Sequence, residues 1–212
     1  MDNPDDRGQE RGAAIMVILM IILMAGASMA IEALLIKSKR QREDQKAGYA
    51  LMEAKRALIA FARIVNGDIL PCPDLTPAID YVNSATRDTS GACVDGSLSV
   101  GFLPWQTLEL PPIFDGSNAP IWYAVVPSAT YAACSLTING QGSFAAILIA
   151  PGGQLAGQDR TLTTNIATVR AQFLEGGNQT TTGNFIAVGA VSETVNDRLL
   201  GITCAEMQNA SN

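Results

Sequence analysis

Histidine is absent from all 212 residues. Catalysis by Ser-His-Asp or Cys-His arrangements is therefore excluded. The commonest metal ligand and the usual proton shuttle at neutral pH are missing with it. Basic charge is scarce as well: 14 Lys and Arg stand against 20 Asp and Glu, for a net charge of −6. A nucleic-acid partner needs a basic face, so none is expected. Cysteine is limited to Cys72, Cys93, Cys134 and Cys204, and no two of them form C-x-x-C. A zinc site built from such scattered thiolates is not expected. Phosphate-loop chemistry fails on residue type. Gly152 and Gly157 have the G-x-x-x-x-G spacing, but Gln158 and Asp159 stand where Lys and Ser or Thr are required, so the stretch reads as a turn. Asp74, Asp80, Asp88 and Asp95 make an oxygen-rich stretch without a D-x-D-x-D-G register. Solvated carboxylates are the expectation there and calcium the alternative. Asp115, Glu175, Glu193 and Asp197 are candidates for a hydrolytic carboxylate pair, and no spacing singles out two of them. Hydrolysis by such a pair stays open at this point, and no cofactor is expected.

One long apolar run is present. Residues 13–31 hold 19 positions without a charge, Glu32 interrupts, and residues 33–36 restore the apolar character. About 20 apolar residues let a helix cross roughly 30 Å of hydrocarbon. Residues 1–12 form a polar leader ending on Arg11 and Gly12. The leader is net acidic and the run is longer than a secretory signal core, although Ser28-Met29-Ala30 offers a signal-peptidase site. The remaining chain, about 175 residues, is enough for one domain with a real core.

The helix is expected to continue past the apolar run. Residues 37–46 are mostly strong helix formers of mixed charge. Leu51, Ala54, Leu58, Phe61, Ala62 and Val65 then recur at steps of three and four, an amphipathic pattern. Asn66-Gly67 is a C-terminal stop. With no proline between Ala13 and Asn66, one helix of about 50 residues is expected over 13–66, with 37–66 as its amphipathic continuation. Lys37, Lys39, Arg40 and Arg42 follow the apolar run, which by the positive-inside rule would place the C-terminal side in the cytoplasm. Four cysteines behind an export-type segment argue for the opposite side and for disulfides in an oxidising compartment. Four buried thiols are the alternative. Among the three pairings, Cys72 with Cys93 and Cys134 with Cys204 is preferred, because the first closes a short local loop.

After residue 67 the pattern is that of an antiparallel sheet. Strands are expected over 121–126, 135–138, 144–150 and 185–191, with a hairpin at Asn139-Gly140 and a strand or turn over 197–207. Asp115-Gly116-Ser117-Asn118 is a turn, Pro151-Gly152-Gly153 breaks the chain, and 165–174 is a short helix. Residues 101–108 read as an apolar corner under the long helix. Trp105, Trp122, Tyr123 and Phe144 are expected in the core. The fold class is α+β: a long N-terminal helix followed by a β-rich domain over 67–212.

A glycine at the edge of a short leader, followed by a long apolar helix that turns amphipathic, resembles type IV pilin and pseudopilin precursors. The resemblance implies a pilin-like fold and cleavage between Gly12 and Ala13 by a prepilin peptidase. It also implies N-methylation of Ala13, with Arg11 as the basic residue before the glycine. Most members carry Glu five residues after the cut, and Val17 stands there, as in minor pilins and the tip-type pseudopilin. A second resemblance spans nearly the whole chain. Leu70-Pro71-Cys72-Pro73-Asp74, Leu103-Pro104-Trp105, Tyr123-Ala124-Val125, Pro151-Gly152 and Asn196-Asp197 through Ile202-Thr203 stand in the order found in a group of proteobacterial prepilin-type proteins. These resemblances imply a non-enzymatic minor subunit of a type IV pilus or type II secretion filament. Its expected partners are prepilin peptidase, other pilin or pseudopilin subunits, the inner-membrane assembly platform and the membrane itself. It would be a single-pass protein with a periplasmic domain. The alternative is a signal-anchored periplasmic binding protein or enzyme whose helix is only a tether.

Overall fold

The computed structural model describes residues 6–65, 69–76, 97–126, 134–161, 163, 165–180, 182–189, 192 and 194–208, without the side chains of 6–15, 26–30, 33 and 65. The chain divides into two units, residues 1–42 and 43–212. Helix α1, Asp6–Val65, contributes to both. It is 60 residues long and begins inside the leader, where Arg7, Gln9, Glu10 and Arg11 are good helix formers. The expected start after Gly12 is thus several residues late.

In the first unit, every side chain described in α1 is exposed. From Met16 to Met24 the large apolar side chains range from 53% exposed at Leu19 to 75% at Met24. Among the described residues no helix is long and apolar enough to cross a membrane. The longest unbroken apolar stretch with described side chains is residues 16–25.

In the second unit the same helix becomes two-sided. Ala47, Ala50, Leu51, Ala54, Leu58 and Ala62 are buried along one stripe. Four of these six are alanine, so the helix backbone can approach the sheet closely. The sheet consists of β1 (Ser99–Phe102), β2 (Trp122–Val125), β3 (Leu136–Ile138), β4 (Gln141–Ala150), β5 (Asn184–Phe185) and β6 (Arg198–Thr203). Strand β4 is central. It pairs antiparallel with β2, β3 and β6, while β1 extends β2 and β5 runs parallel to β3. Along β4, Ala146, Leu148 and Ala150 face the α1 stripe together with Tyr123 and Val125 of β2. Ile147 and Ile149 face the other way, with Trp122, Ala124 and Phe102, onto helix α2 (Ile166–Phe173) through Val169 and Phe173. Burial on both faces is why residues 145–150 are uniformly apolar rather than alternating. Trp122 and Tyr123 are fully buried, whereas Trp105 and Phe144 are half-buried.

Local chemistry explains several boundaries. The β3–β4 hairpin turns at Asn139 (φ 53°) and Gly140 (φ 70°), the two left-handed residues a type I′ turn requires. Asn165 caps α2, its side chain accepting from the amides of Ala167 and Thr168. Residues 203–206 form a capping box at α3 (Cys204–Gln208): Glu206 accepts from the Thr203 amide at 2.8 Å, and Thr203 Oγ1 accepts from the Glu206 amide at 3.2 Å. Lys55 of α1 reaches the same box, 2.6 Å from Glu206 Oε1, and donates to the Gly201 carbonyl at 2.8 Å. Burial alone would raise the Glu206 pKa, but the hydrogen bonds from Lys55 and Thr203 outweigh it and the net shift is downward. A disulfide joins Cys134 to Cys204 with the Cα atoms 6.3 Å apart. Cys72 is also disulfide-bonded, and Cys93, the partner expected for it, lies outside the described residues.

The structure departs from expectation in two further places. Residues 99–102 form strand β1, where the sequence pattern suggests an apolar corner from residue 101. The strand expected over 185–191 stops at Phe185 among the described residues, and residues 190 and 191 lie outside them. Beyond it, side-chain amides replace strand pairing. Asn178 accepts from the Ile186 amide and donates to the Ile186 carbonyl, and Asn139 does the same at Ala187.

Candidate functional site

The sequence motifs of the second half of the chain converge on one corner. It lies where β4 ends, at Pro151-Gly152-Gly153, beside the C-terminus of α2 and the segment that enters β6. Asp115 holds the corner from one side. Its Oδ1 accepts from the amides of Ser117 and Ala119 and from the Ser117 hydroxyl, and its Oδ2 accepts from the Gly152 amide at 2.7 Å. Gly152 has φ 70°, so glycine suits the bend. Arg160 donates to the carbonyls of Gly152 and Gly153 and lies 4.9 Å from the centre of the Phe173 ring. Asn196 donates to the Gly153 carbonyl at 2.6 Å.

Two carboxyls meet at the centre of this corner. Glu175 Oε2 accepts from the amides of Asn196 and Asp197, and Glu175 Oε1 accepts from Gln158 at 2.7 Å. Asp197 Oδ2 accepts from the Glu175 amide at 3.0 Å and from Asn178 at 2.8 Å. Both residues are buried, Asp197 at 1% exposure. Asp197 Oδ1 receives no donor. Burial first, then the negative charge of Glu175, pushes the Asp197 carboxyl up to about 8. At neutral pH the Asp197 carboxyl is therefore mostly protonated. Of the four carboxylates that are candidates in the sequence, the structure pairs Glu175 with Asp197 and ties Asp115 to the same corner through Gly152. Glu193 lies outside the described residues.

A carboxyl whose pKa is raised toward neutrality is competent for acid–base chemistry only if substrate can reach it. Here three of the four oxygens already accept from main-chain and side-chain amide donors. The apolar hollow bordered by Phe102, Leu103, Trp105, Phe114 and Ile121 has no lining residue in the pair. The arrangement fits a structural clasp that fastens the loop at 151–160 to the sheet. Asp74, the one member of the oxygen-rich stretch that is described, is buried and accepts from the Thr76 amide. Asp80, Asp88 and Asp95 lie outside the described residues. Among the described residues no group of three or more Cys, Asp or Glu is arranged to hold a metal ion.

The processing residues expected at the other end of the chain, Arg11, Gly12 and Ala13, lie within the helical backbone of α1. Val17 is exposed. The carboxyl pair could not be found by spacing, because its members are 22 residues apart and neither lies in a periodic element. No protein-family model matches the chain, and no curated protein or solved structure matches it.

Proposed function

We propose that this protein is a non-enzymatic, pilin-like filament subunit, held in the inner membrane by residues 13–36 and assembled through that helix after cleavage between Gly12 and Ala13. The observation that carries the reading is the exposed apolar surface of α1 in the first unit. Side chains from Met16 to Met24, and again at Ile31, Leu34, Leu35 and Ile36, are more than half exposed. Apolar surface on that scale requires lipid or equivalent helices around it. The described residues alone are too short for a crossing, and the sequence supplies the rest: residues 13–31 carry no charge, and the helix backbone is unbroken through them. A membrane helix leading into a mostly antiparallel sheet with a Cys134–Cys204 disulfide agrees with a periplasmic domain. The partners in this reading are prepilin peptidase, other pilin or pseudopilin subunits and an inner-membrane assembly platform.

The test is expression of the full chain with and without a prepilin peptidase, followed by intact-mass measurement. Loss of residues 1–12 only when the peptidase is present is the expected result. Cleavage after Ala30, or no cleavage, sinks the proposal, and an uncut chain would be a signal-anchored protein. A Gly12→Val variant should stay uncut.

A further inference from the structure

We propose that Lys37, Lys39, Arg40 and Arg42 form a cationic collar that binds the headgroups of anionic phospholipids and so fixes the depth of the apolar helix. The inference rests on the membrane reading above and assigns it a lipid class.

The first observation is charge. Residues 37–42 hold four cations and no acid in a chain of net charge −6. Residues 43–212 carry eight Lys and Arg against fifteen Asp and Glu. This local excess of positive charge therefore stands against an otherwise acidic protein. The acids nearest to it in α1 are Glu32 on one side and Glu43 and Asp44 on the other.

The second observation is placement. All four cations are exposed, and they follow directly on the exposed apolar residues Leu34, Leu35 and Ile36. The helix does not break between the two stretches, and Ser38 Oγ donates to the Leu35 carbonyl at 3.0 Å, within the helix.

The third is angular. At 3.6 residues per turn, Lys37 and Arg40 lie on one side of the helix and Lys39 and Arg42 on the opposite side. A helix lying flat on a membrane gathers its cations on one face. Cations on opposite faces, directly after a stretch that is apolar all round, fit a helix that stands across the bilayer and passes through a headgroup layer at residues 37–42. Long Lys and Arg side chains reach headgroups while their stems remain on apolar surface. The collar also accounts for a charge distribution that contradicts the positive-inside rule: here the cations would grip lipid on the side of the folded domain.

The test uses the full chain. Flotation with phosphatidylcholine vesicles and with vesicles containing about 30% phosphatidylglycerol reads membrane insertion. Native mass spectrometry from neutral detergent containing equal amounts of the two lipids reads which one is retained. One cation near an anionic surface changes binding by roughly fivefold. The expected result is at least a tenfold preference for phosphatidylglycerol. That preference should disappear in the variant Lys37→Gln, Lys39→Gln, Arg40→Gln, Arg42→Gln, and also in about 0.5 M salt, where exposed charges are screened within a few ångströms. Insertion into both vesicles with equal retention of the two lipids overturns the collar alone. So does a preference unchanged in the variant. Failure to float with either vesicle overturns the membrane reading, and the collar with it.

Discussion

The raised pKa of Asp197, buried beside Glu175, makes a definite claim about stability. Asp197 has a folded pKa of about 8 against an ordinary value of 3.8. A raised folded pKa means that the native state binds more protons than the unfolded chain between those two values. The contribution is therefore fully present below about 3.8 and lost as pH rises through 8. Across pH 5 to 8 the loss is on the order of 4 kcal/mol, at about 1.4 kcal/mol for each step of one in pH. The assay is urea unfolding of the full chain in neutral detergent, followed by tryptophan emission, with Trp122 fully buried as reporter. A change of that size moves the midpoint by about 1.5–4 M urea. Asp197→Asn keeps an acceptor for Asn178 and the Glu175 amide, and it removes the titrating group. It should abolish the pH dependence over this window, so that the variant is the more stable protein at pH 8. Glu206 does not interfere, because its lowered pKa acts in the opposite sense and only as pH falls below its ordinary 4.5. A parent protein whose stability is flat or rises from pH 5 to 8 refutes the raised pKa of Asp197. So does an Asp197→Asn variant that loses stability as the parent does.

Three further perturbations test the packing around that corner and the helix. Lys55→Met removes the contacts to Glu206 and to the Gly201 carbonyl, and should cost about 1–2 kcal/mol in urea unfolding, with the larger part from the half-buried carbonyl bond. Gly116→Ala should cost about 1–3 kcal/mol, because its Cβ would collide with the Glu43 backbone of α1, which cannot move aside like a side chain. Replacing Cys134 and Cys204 by Ala opens a link spanning 70 residues. It should lower stability by about 4 kcal/mol in the loop-entropy model, read as a fall in the thermal midpoint of the non-reduced protein.

The parts of the fold that were legible in the sequence are those whose physics is local. The α1 stripe at Leu51, Ala54, Leu58 and Ala62 follows the helical period, and Asn139-Gly140 announces its hairpin through backbone conformation alone. The uniform apolar run 145–150 marks a strand covered on both faces. Strand β1 escaped because four residues containing a glycine give too short a pattern, and its pairing with β2 supplies what propensity lacks. The stretch after Phe185 misleads in the opposite direction. Ile186 and Val188 favour a strand, but Asn178 and Asn139 satisfy the backbone of residues 186 and 187 from the side. The carboxyl pair was beyond reach for the same reason. Three of its four oxygens are held by donors from segments around residues 158, 175, 178 and 196, and those distances exist only after the sheet has formed. The motifs gathered there are each weak in sequence, and they are explained together by one hydrogen-bonded corner.

The two halves of α1 set out the limits of what this chain can do for itself. From residue 47 onward, small and apolar residues recur every fourth position, and the sheet buries them: Ala50, Ala54, Leu58 and Ala62 are all at 6% exposure or less. Polar residues between them, such as Glu53 and Arg56, keep the other side in solvent. From residue 16 to residue 25 there is no polar position at all, so no single face can be buried while another stays wet. One sheet could cover only one side of such a helix. A surrounding apolar medium covers every side, and so does a bundle of like helices. Burial of a Leu, Ile, Val or Met side chain contributes about 1.5–3 kcal/mol, and nine consecutive residues, Met16 through Met24, are of these types. Leaving them in water would therefore cost as much as, or more than, the roughly 5–15 kcal/mol net stability typical of a folded domain. The surroundings of this segment are thus an essential part of the folded state. If this segment passes from a membrane into a filament, as proposed above, the receiving structure must cover the same sides, a requirement that a core of like helices meets.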